Sequence, residues 1–138
     1  MVAIAASRFA EHAIVSGTRT VRDRTARRVL IVGAGRNGRS MMRELRETPG
    51  ERVVGFIDDN PRLRRRRVYG VTVVGTSHEA ARILEATEPD IVLVTIPDAP
   101  RETLDAVVSA CAEAGVACRF VRRELDLDPH VELGAASE

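Results

Sequence analysis

Lysine is absent from this 138-residue chain: all 21 of its basic residues are arginine. Without a side-chain amine no Schiff base can form, and the phosphate-binding lysine of a P-loop is excluded. The single tyrosine, Tyr69, therefore has no lysine with which to form a Tyr-x-x-x-Lys acid–base pair. No apolar run approaches the roughly 20 residues that a membrane span requires. The opening "MVAIAASRFAEHAIV" has an apolar face, but no basic region precedes it and Arg8, Glu11 and His12 interrupt it, which argues against a secretory signal. Two cysteines, Cys111 and Cys118, in a chain without an export signal point to a reducing compartment rather than a disulfide framework. His12, His78 and His130 are scattered and complete no metal set with them. Nor is there a nucleophilic triad or a pair of carboxylates with an evident task; Asp126 and Asp128 read as an exposed tail.

The content is that of one soluble domain, with 44% hydrophobic and 30% charged residues. A net charge of +1 conceals a division. Residues 1–67 hold 16 arginines and 7 acids, a balance of +9, whereas residues 68–138 hold 5 arginines and 13 acids, a balance of −8. Such a dipole either faces an anionic ligand, a membrane surface or an acidic partner, or is neutralised across the fold.

Residues 1–27 read as a helix followed by the basic connector "SGTRTVRDRTAR". From Arg28 the texture alternates. "RVLIV" is a buried strand ended by Gly33, and "RNGRSMMRELRET" is a helix stopped by Pro49-Gly50. "ERVVGFID" is a second strand, followed by a turn and the basic loop "DNPRLRRRRVYG". "VTVVG" is a third strand; Thr76 or Ser77 caps the helix "HEAARILEAT", with Glu79 near its positive end. "IVLVTI" is an uninterrupted apolar run typical of a central parallel strand. "RETLDAVVSACAEAG" is a helix, "VACRFV" a fifth strand, and residues 123–138 an acidic tail. The order β-α-β-β-α-β-α-β predicts an α/β fold: a doubly wound parallel sheet of about five strands over 28–122, in the order 3-2-1-4-5, with helices on both faces. A crevice is expected where the fourth strand returns beside the first.

Gly33-Ala34-Gly35-Arg36-Asn37-Gly38 is G-x-G-x-x-G between that first strand and its helix. Gly33 permits the tight turn, Gly35 lets a pyrophosphate approach the backbone, and Gly38 lets helix and strand pack closely. The free amides of the helix's first turn favour an anion. Asp58, 25 residues after Gly33, stands where a carboxylate grips ribose hydroxyls, with Asp59 the adjacent candidate. The alternative is a motif that only serves a tight junction.

A carboxylate at Asp58 repels a 2′-phosphate and so favours NAD(H) over NADP. Arg62 and Arg64 to Arg67 either accept extra phosphate or form a solvated loop balancing the acidic second half. Arg36 and Arg39 either touch a phosphate or cover the surface. At the end of the fourth strand Thr95, Pro97 and Asp98 face the same crevice: Pro97 lacks an N–H and ends the strand, and Thr95 or Asp98 reaches the ligand's sugar, or the segment simply terminates the strand. His78 either lies near the crevice or caps its helix. No DNA-reading element is visible and residues 1–27 are too short for one, so no nucleic-acid partner is expected.

The run "RRVLIVGAGRNGRSMMRELRETPGERVVGFIDDNPRLRRRRVYGVTVVGT", with "PDIVLVTIPDAPRETLDAVVSACAEAGVACRFV", is similar to the Rossmann-like, so-called CoA-binding domain of polysaccharide-biosynthesis proteins. These are the membrane-anchored nucleotide-sugar epimerase/dehydratases and the polyprenyl-phosphate sugar phosphotransferases. The likeness covers about residues 27–121, and "VVGFIDDNP…YGVTVVGT" is its most specific part. It implies a cytoplasmic domain, at the membrane's cytoplasmic face in a larger bacterial protein, in which Gly33, Gly35, Gly38 and Asp58 contact the nucleotide. Family members carry membrane helices before this domain and a catalytic module after it; this chain shows neither. The expectation is either an excised fragment or a free-standing relative, with 1–27 as a juxtamembrane linker suited to anionic headgroups.

Three functions remain. The first is a binding module for NAD(H), NADP, a nucleotide sugar or CoA that is not itself catalytic. The second is a regulatory domain sensing NADH or another nucleotide. The third, a small stand-alone oxidoreductase, lacks both a substrate domain and an acid–base pair. A homodimer is compatible with each.

Overall fold

In the computed structural model, residues 25–96 and 98–121 are described. The predicted N-terminal helix with most of its linker, the acidic tail, and Pro97 lie outside the described residues.

Strand β1 (Arg27–Val32) and strand β5 (Ile91–Val94) pair in parallel at the centre, with Val29 opposite Ile91 and Val32 opposite Val94. Their side chains from Val29 to Val32 and from Ile91 to Val94 are all buried, which is why both segments read as unbroken apolar runs. On the other side β1 pairs with β2 (Glu51–Ile57), also in parallel, with a shift in register after Val29. Strand β4 (Val71–Gly75) follows β2 in parallel, and β6 (Ala117–Phe120) closes the far side in parallel with β5.

The sheet has six strands in the order β3-β4-β2-β1-β5-β6, so the expected 3-2-1-4-5 arrangement is present with one addition. The addition is β3, Arg67–Val68, inside the segment read as a basic loop; it runs antiparallel to β4. Tyr69 and Gly70 make the reversal with φ of +50° and +83°. Two successive positive-φ residues form the tight turn whose twist suits a hairpin.

Each face is covered. Helix α1 (Arg36–Arg46) sets Met42 and Leu45 against a layer with Val29, Ile31, Phe56 and Val73. Helices α2 (Ala80–Thr87) and α3 (Arg101–Ala114) set Ile83, Leu84, Val107 and Cys111 against Leu30, Val32, Val92 and Val94 on the opposite face. Alternate residues of β1 thus serve different layers, as the two-residue repeat of a strand requires. Arg28 donates from Nε and a terminal nitrogen to the Thr87 carbonyl at 3.1 and 2.8 Å. It thereby satisfies the end of α2, where a cation suits the negative helix terminus. The connections leave β1 toward β2 on one side and reach β5 on the other, so the carboxyl ends of these strands frame the expected crevice.

Candidate functional site

Gly33 follows β1 with φ +107°, and its amide donates to the Ile57 carbonyl at 2.7 Å. A Cβ there would lie 2.6 Å from both Ile96 Cγ1 and Thr95 Oγ1. A Cβ on Gly38 would run into the Gly33 carbonyl oxygen, so the third glycine is where helix and loop touch. Gly35 differs: no atom stands within 4 Å of the place a Cβ would occupy. It is the N-cap of α1, with no side-chain cap, and the first turn carries no acid. The first-turn amides of a helix have no intrahelical acceptors, and here they face neither a capping oxygen nor a carboxylate of their own turn. Such a terminus attracts an anion.

Asp58 sits immediately after β2 and ties the loop to the sheet. Its Oδ2 accepts the Ala34 amide at 2.8 Å, and its Oδ1 accepts the Asn60 amide at 2.8 Å. A carboxylate has about four acceptor positions, so two bonds leave capacity for hydroxyl donors.

The neighbouring Asp59 borders the same crevice but bonds to other partners. Its Oδ1 accepts the Ser77 amide at 2.7 Å, and its Oδ2 accepts the hydroxyls of Ser77 and Thr103, each at 2.9 Å. Burial pushes the Asp59 carboxyl up, but these bonds and the nearby His78 outweigh it and hold the group below the usual carboxylate range. Asp59 is thus a clamp joining β2, the β4–α2 connection and α3.

Thr95 is buried, and its hydroxyl donates to the Val32 carbonyl at 2.9 Å. Asn37 Nδ2 reaches the Thr95 carbonyl at 3.3 Å, fastening α1 to the end of β5. Both residues brace the glycine loop. Arg36 is exposed, whereas Arg39 Nε donates to the Ala34 carbonyl at 3.3 Å. Asp98 is exposed beyond β5. In the basic loop, Arg64 comes within 3.9 Å of Glu79, while Arg62, Arg65, Arg66 and Arg67 are exposed. Glu79 Oε1 accepts the Thr76 amide at 3.0 Å, as its position near the helix start implies.

A crevice of about 130 Å³ opens between the ends of β1, β2 and β5, lined by Val32, Ile57, Ile96 and Thr103 and by both Asp58 and Asp59, among others. Small-molecule sites usually run from about 300 Å³ upward, so this hollow suits one moiety of a ligand that continues over the open loop. The sequence reading took Ser77 only as a helix cap and missed Thr103, whose signal was no more than a hydroxyl at the start of its helix. It also missed Arg43 and Tyr69, which border a second hollow with Gly35. Their signal was an arginine repeat along α1 and the Tyr69-Gly70 turn. Among the described residues no group of His, Cys, Asp or Glu is placed to hold a metal, and no helix is long and apolar enough to cross a membrane.

The same architecture occurs in UDP-D-quinovosamine 4-dehydrogenase from Vibrio fischeri, with a TM-score of 0.63 and 24% identity over 74% of this chain and 83% of that one. It occurs also in RSP, a Rex-family repressor, with a TM-score of 0.60 and 19% identity over 88% of this chain and 62% of that one. RSP in complex with β-NADH gives a TM-score of 0.59 and 19% identity, over 82% of this chain and 65% of that one. At these identities the likeness is one of fold, which is Rossmann-like. No match is found among curated proteins. Residues 1–121 match the model of the CoA-binding domain, and the chain therefore belongs to the CoA-binding domain family.

Proposed function

We propose that this domain binds a nucleotide across the glycine loop, NAD(H) or a nucleotide sugar in the first instance, and performs no chemistry on it. In this reading it serves a protein of polysaccharide or nucleotide-sugar biosynthesis. The observation that carries the proposal is the pairing of an open, uncapped amide lip at Gly35 with the Asp58 carboxylate one hydrogen bond away at Ala34. A pyrophosphate suits the first and a ribose the second. Gly33, Ala34, Arg36, Asn37 and Gly38 complete the seat in this assignment. Asp59 and Thr95 act as braces, because their polar atoms are already bonded within the fold.

In this reading the side chains supply no catalytic pair. Tyr69 has no lysine partner, and Cys111 is buried between α3 and the sheet, its thiol pushed up to about 12 by burial and then by Cys118. Catalysis then belongs to another module of a larger protein, whose cytoplasmic face this domain would occupy. The fold shared with the 4-dehydrogenase supports the sugar-nucleotide side of the reading.

The second reading is a nucleotide sensor. It is supported by the shared fold of RSP, whose structure contains β-NADH. RSP is also described with operator DNA, but no DNA role is proposed for this chain.

Titration of the pure chain with NADH, NADPH, CoA and UDP-sugars, followed by a search for turnover, tests the proposal. Saturable binding of UDP-sugars without turnover supports the biosynthetic reading, and tight NADH binding without turnover supports sensing. Turnover overturns the non-catalytic assignment, and silence with every ligand overturns nucleotide binding.

A further inference from the structure

Next to the glycine loop lies a groove of about 340 Å³ lined by Gly35, Arg36, Arg39, Ser40, Arg43 and Tyr69. It shares no residue with the Asp58 crevice. The two hollows meet the loop at different points, one through Val32 and Asp58, the other through Gly35.

Arg36, Arg39 and Arg43 recur at i, i+3 and i+7 and so share a face of α1. That face points away from Gly38, Met42 and Leu45, the residues α1 buries. Among the described residues none of the three has a carboxylate within salt-bridge distance; the pairs that do form involve other arginines. Two of them are steered to the groove by neutral acceptors, Arg39 by the Ala34 carbonyl at 3.3 Å and Arg43 by Ser40 Oγ at 3.4 Å.

This placement runs against helix electrostatics. The first turn of a helix carries partial positive charge and favours Asp or Glu. Helix α1 has no acid there and places Arg36 and Arg39 in its first four residues. Like charges one turn apart also repel. An anion in the groove relieves both conflicts.

Tyr69 borders the groove from the β3–β4 turn. Its φ of +50° is left-handed, a conformation that bulky side chains rarely adopt. The Arg46 guanidinium lies 5.9 Å from the ring centroid, a cation–π contact that fixes the ring beside α1.

We infer that this groove seats a further anionic group, a carboxylate or a phosphate, joined beyond the pyrophosphate of the bound nucleotide. The inference rests on the nucleotide reading above and narrows it away from NAD(H), which has no acid beyond its pyrophosphate: the ligand is a nucleoside diphosphate whose distal part is acidic. Guanidinium forks match both groups in two-pronged hydrogen bonds, and the hydroxyls of Ser40 and Tyr69 add neutral donors.

The test is calorimetric titration of the 138-residue chain with two ligand pairs, UDP-glucose against UDP-glucuronic acid and ADP against ATP. The first pair reports a sugar carboxylate, the second a terminal phosphate. In one pair the more acidic member is expected to bind at least ~10-fold tighter. Arg43→Gln then removes that excess and leaves the less acidic member unchanged. Arg119→Gln, on β6 at the opposite edge of the sheet, leaves the excess in place. Equal affinities within both pairs overturn the groove assignment while the nucleotide reading stands. So does an excess that survives Arg43→Gln, or one that Arg119→Gln reduces as strongly. No binding of any of the four ligands, nor of NADH, overturns both.

Discussion

The Asp58 carboxylate accepts the Ala34 amide at 2.8 Å, joining the end of β2 to the middle of the glycine loop across 24 residues of chain. One residue thereby shapes the amide lip and places negative charge beside it. The arrangement makes the loop and the acid a single unit.

Gly35→Val is expected to abolish nucleotide binding and preserve the fold. No atom lies within 4 Å of the added Cβ, and φ at this position is −83°, which valine tolerates. The isopropyl group instead occupies the pyrophosphate's path, with a loss of about 100-fold or more in affinity. Calorimetry gives the affinity and thermal unfolding the stability. Undiminished binding by a folded variant would place the site elsewhere.

Gly38→Ala should do the reverse and attack the fold itself. The new methyl group runs into the Gly33 carbonyl, a backbone atom that cannot swing aside. A cost of about 2–3 kcal/mol is expected, larger than the helix propensity gained by replacing glycine. Urea unfolding measures it, and a variant as stable as the parent would contradict the close packing of α1 on the loop.

Asp58→Asn is predicted to relax discrimination against 2′-phosphorylated cofactors. The carboxamide oxygen can keep the Ala34 N–H, while the NH2 that replaces Oδ1 gives up the Asn60 amide and the charge that repels a phosphate is lost. The NADH-to-NADPH affinity ratio should fall several-fold, by about 1 kcal/mol or more. A ratio that does not move argues against a ribose role for this residue.

Asp59→Ala tests the clamp and has a definite pH signature. Removing the carboxylate frees the Ser77 amide and two hydroxyls, at a cost of about 1–2 kcal/mol once its solvent exposure is discounted. The folded-state pKa of Asp59 is lowered, so its stabilisation is present above the ordinary carboxylate value of 3.8. It is lost as pH falls through the folded value. Parent and variant should therefore differ at pH 7 and converge in acid, as read by denaturant midpoints; a pH-independent difference would mean that charge is not involved.

The thiols give the opposite slope. Burial, followed by the neighbouring Cys118, raises Cys111 from 9.0 to about 12. A raised folded-state value contributes stability that is complete below pH 9.0 and is lost as pH climbs toward about 12. Alkylation at pH 8 should leave Cys111 untouched until the chain unfolds. Rapid labelling of the native protein would show that α3 does not seal it.

By itself the sequence determined the local terms: which runs are fully apolar and must be central strands, where three glycines interrupt them, and that an acid follows β2. Those depend on neighbours along the chain, and the α/β order and the Gly33–Gly38 loop were legible for that reason. Strand β3 was not, because two residues carry no period and a tyrosine at positive φ does not read as a turn. Only the tertiary structure divided the labour between Asp58 and Asp59, adjacent residues of the same chemistry. One faces Ala34 while the other is drawn away by Ser77 and Thr103, partners 18 and 44 residues distant. It also consumed the Thr95 hydroxyl and brought Tyr69 to the arginines of α1. Hydrogen bonds and ion pairing depend on distance in space, which chain folding sets and residue order does not state.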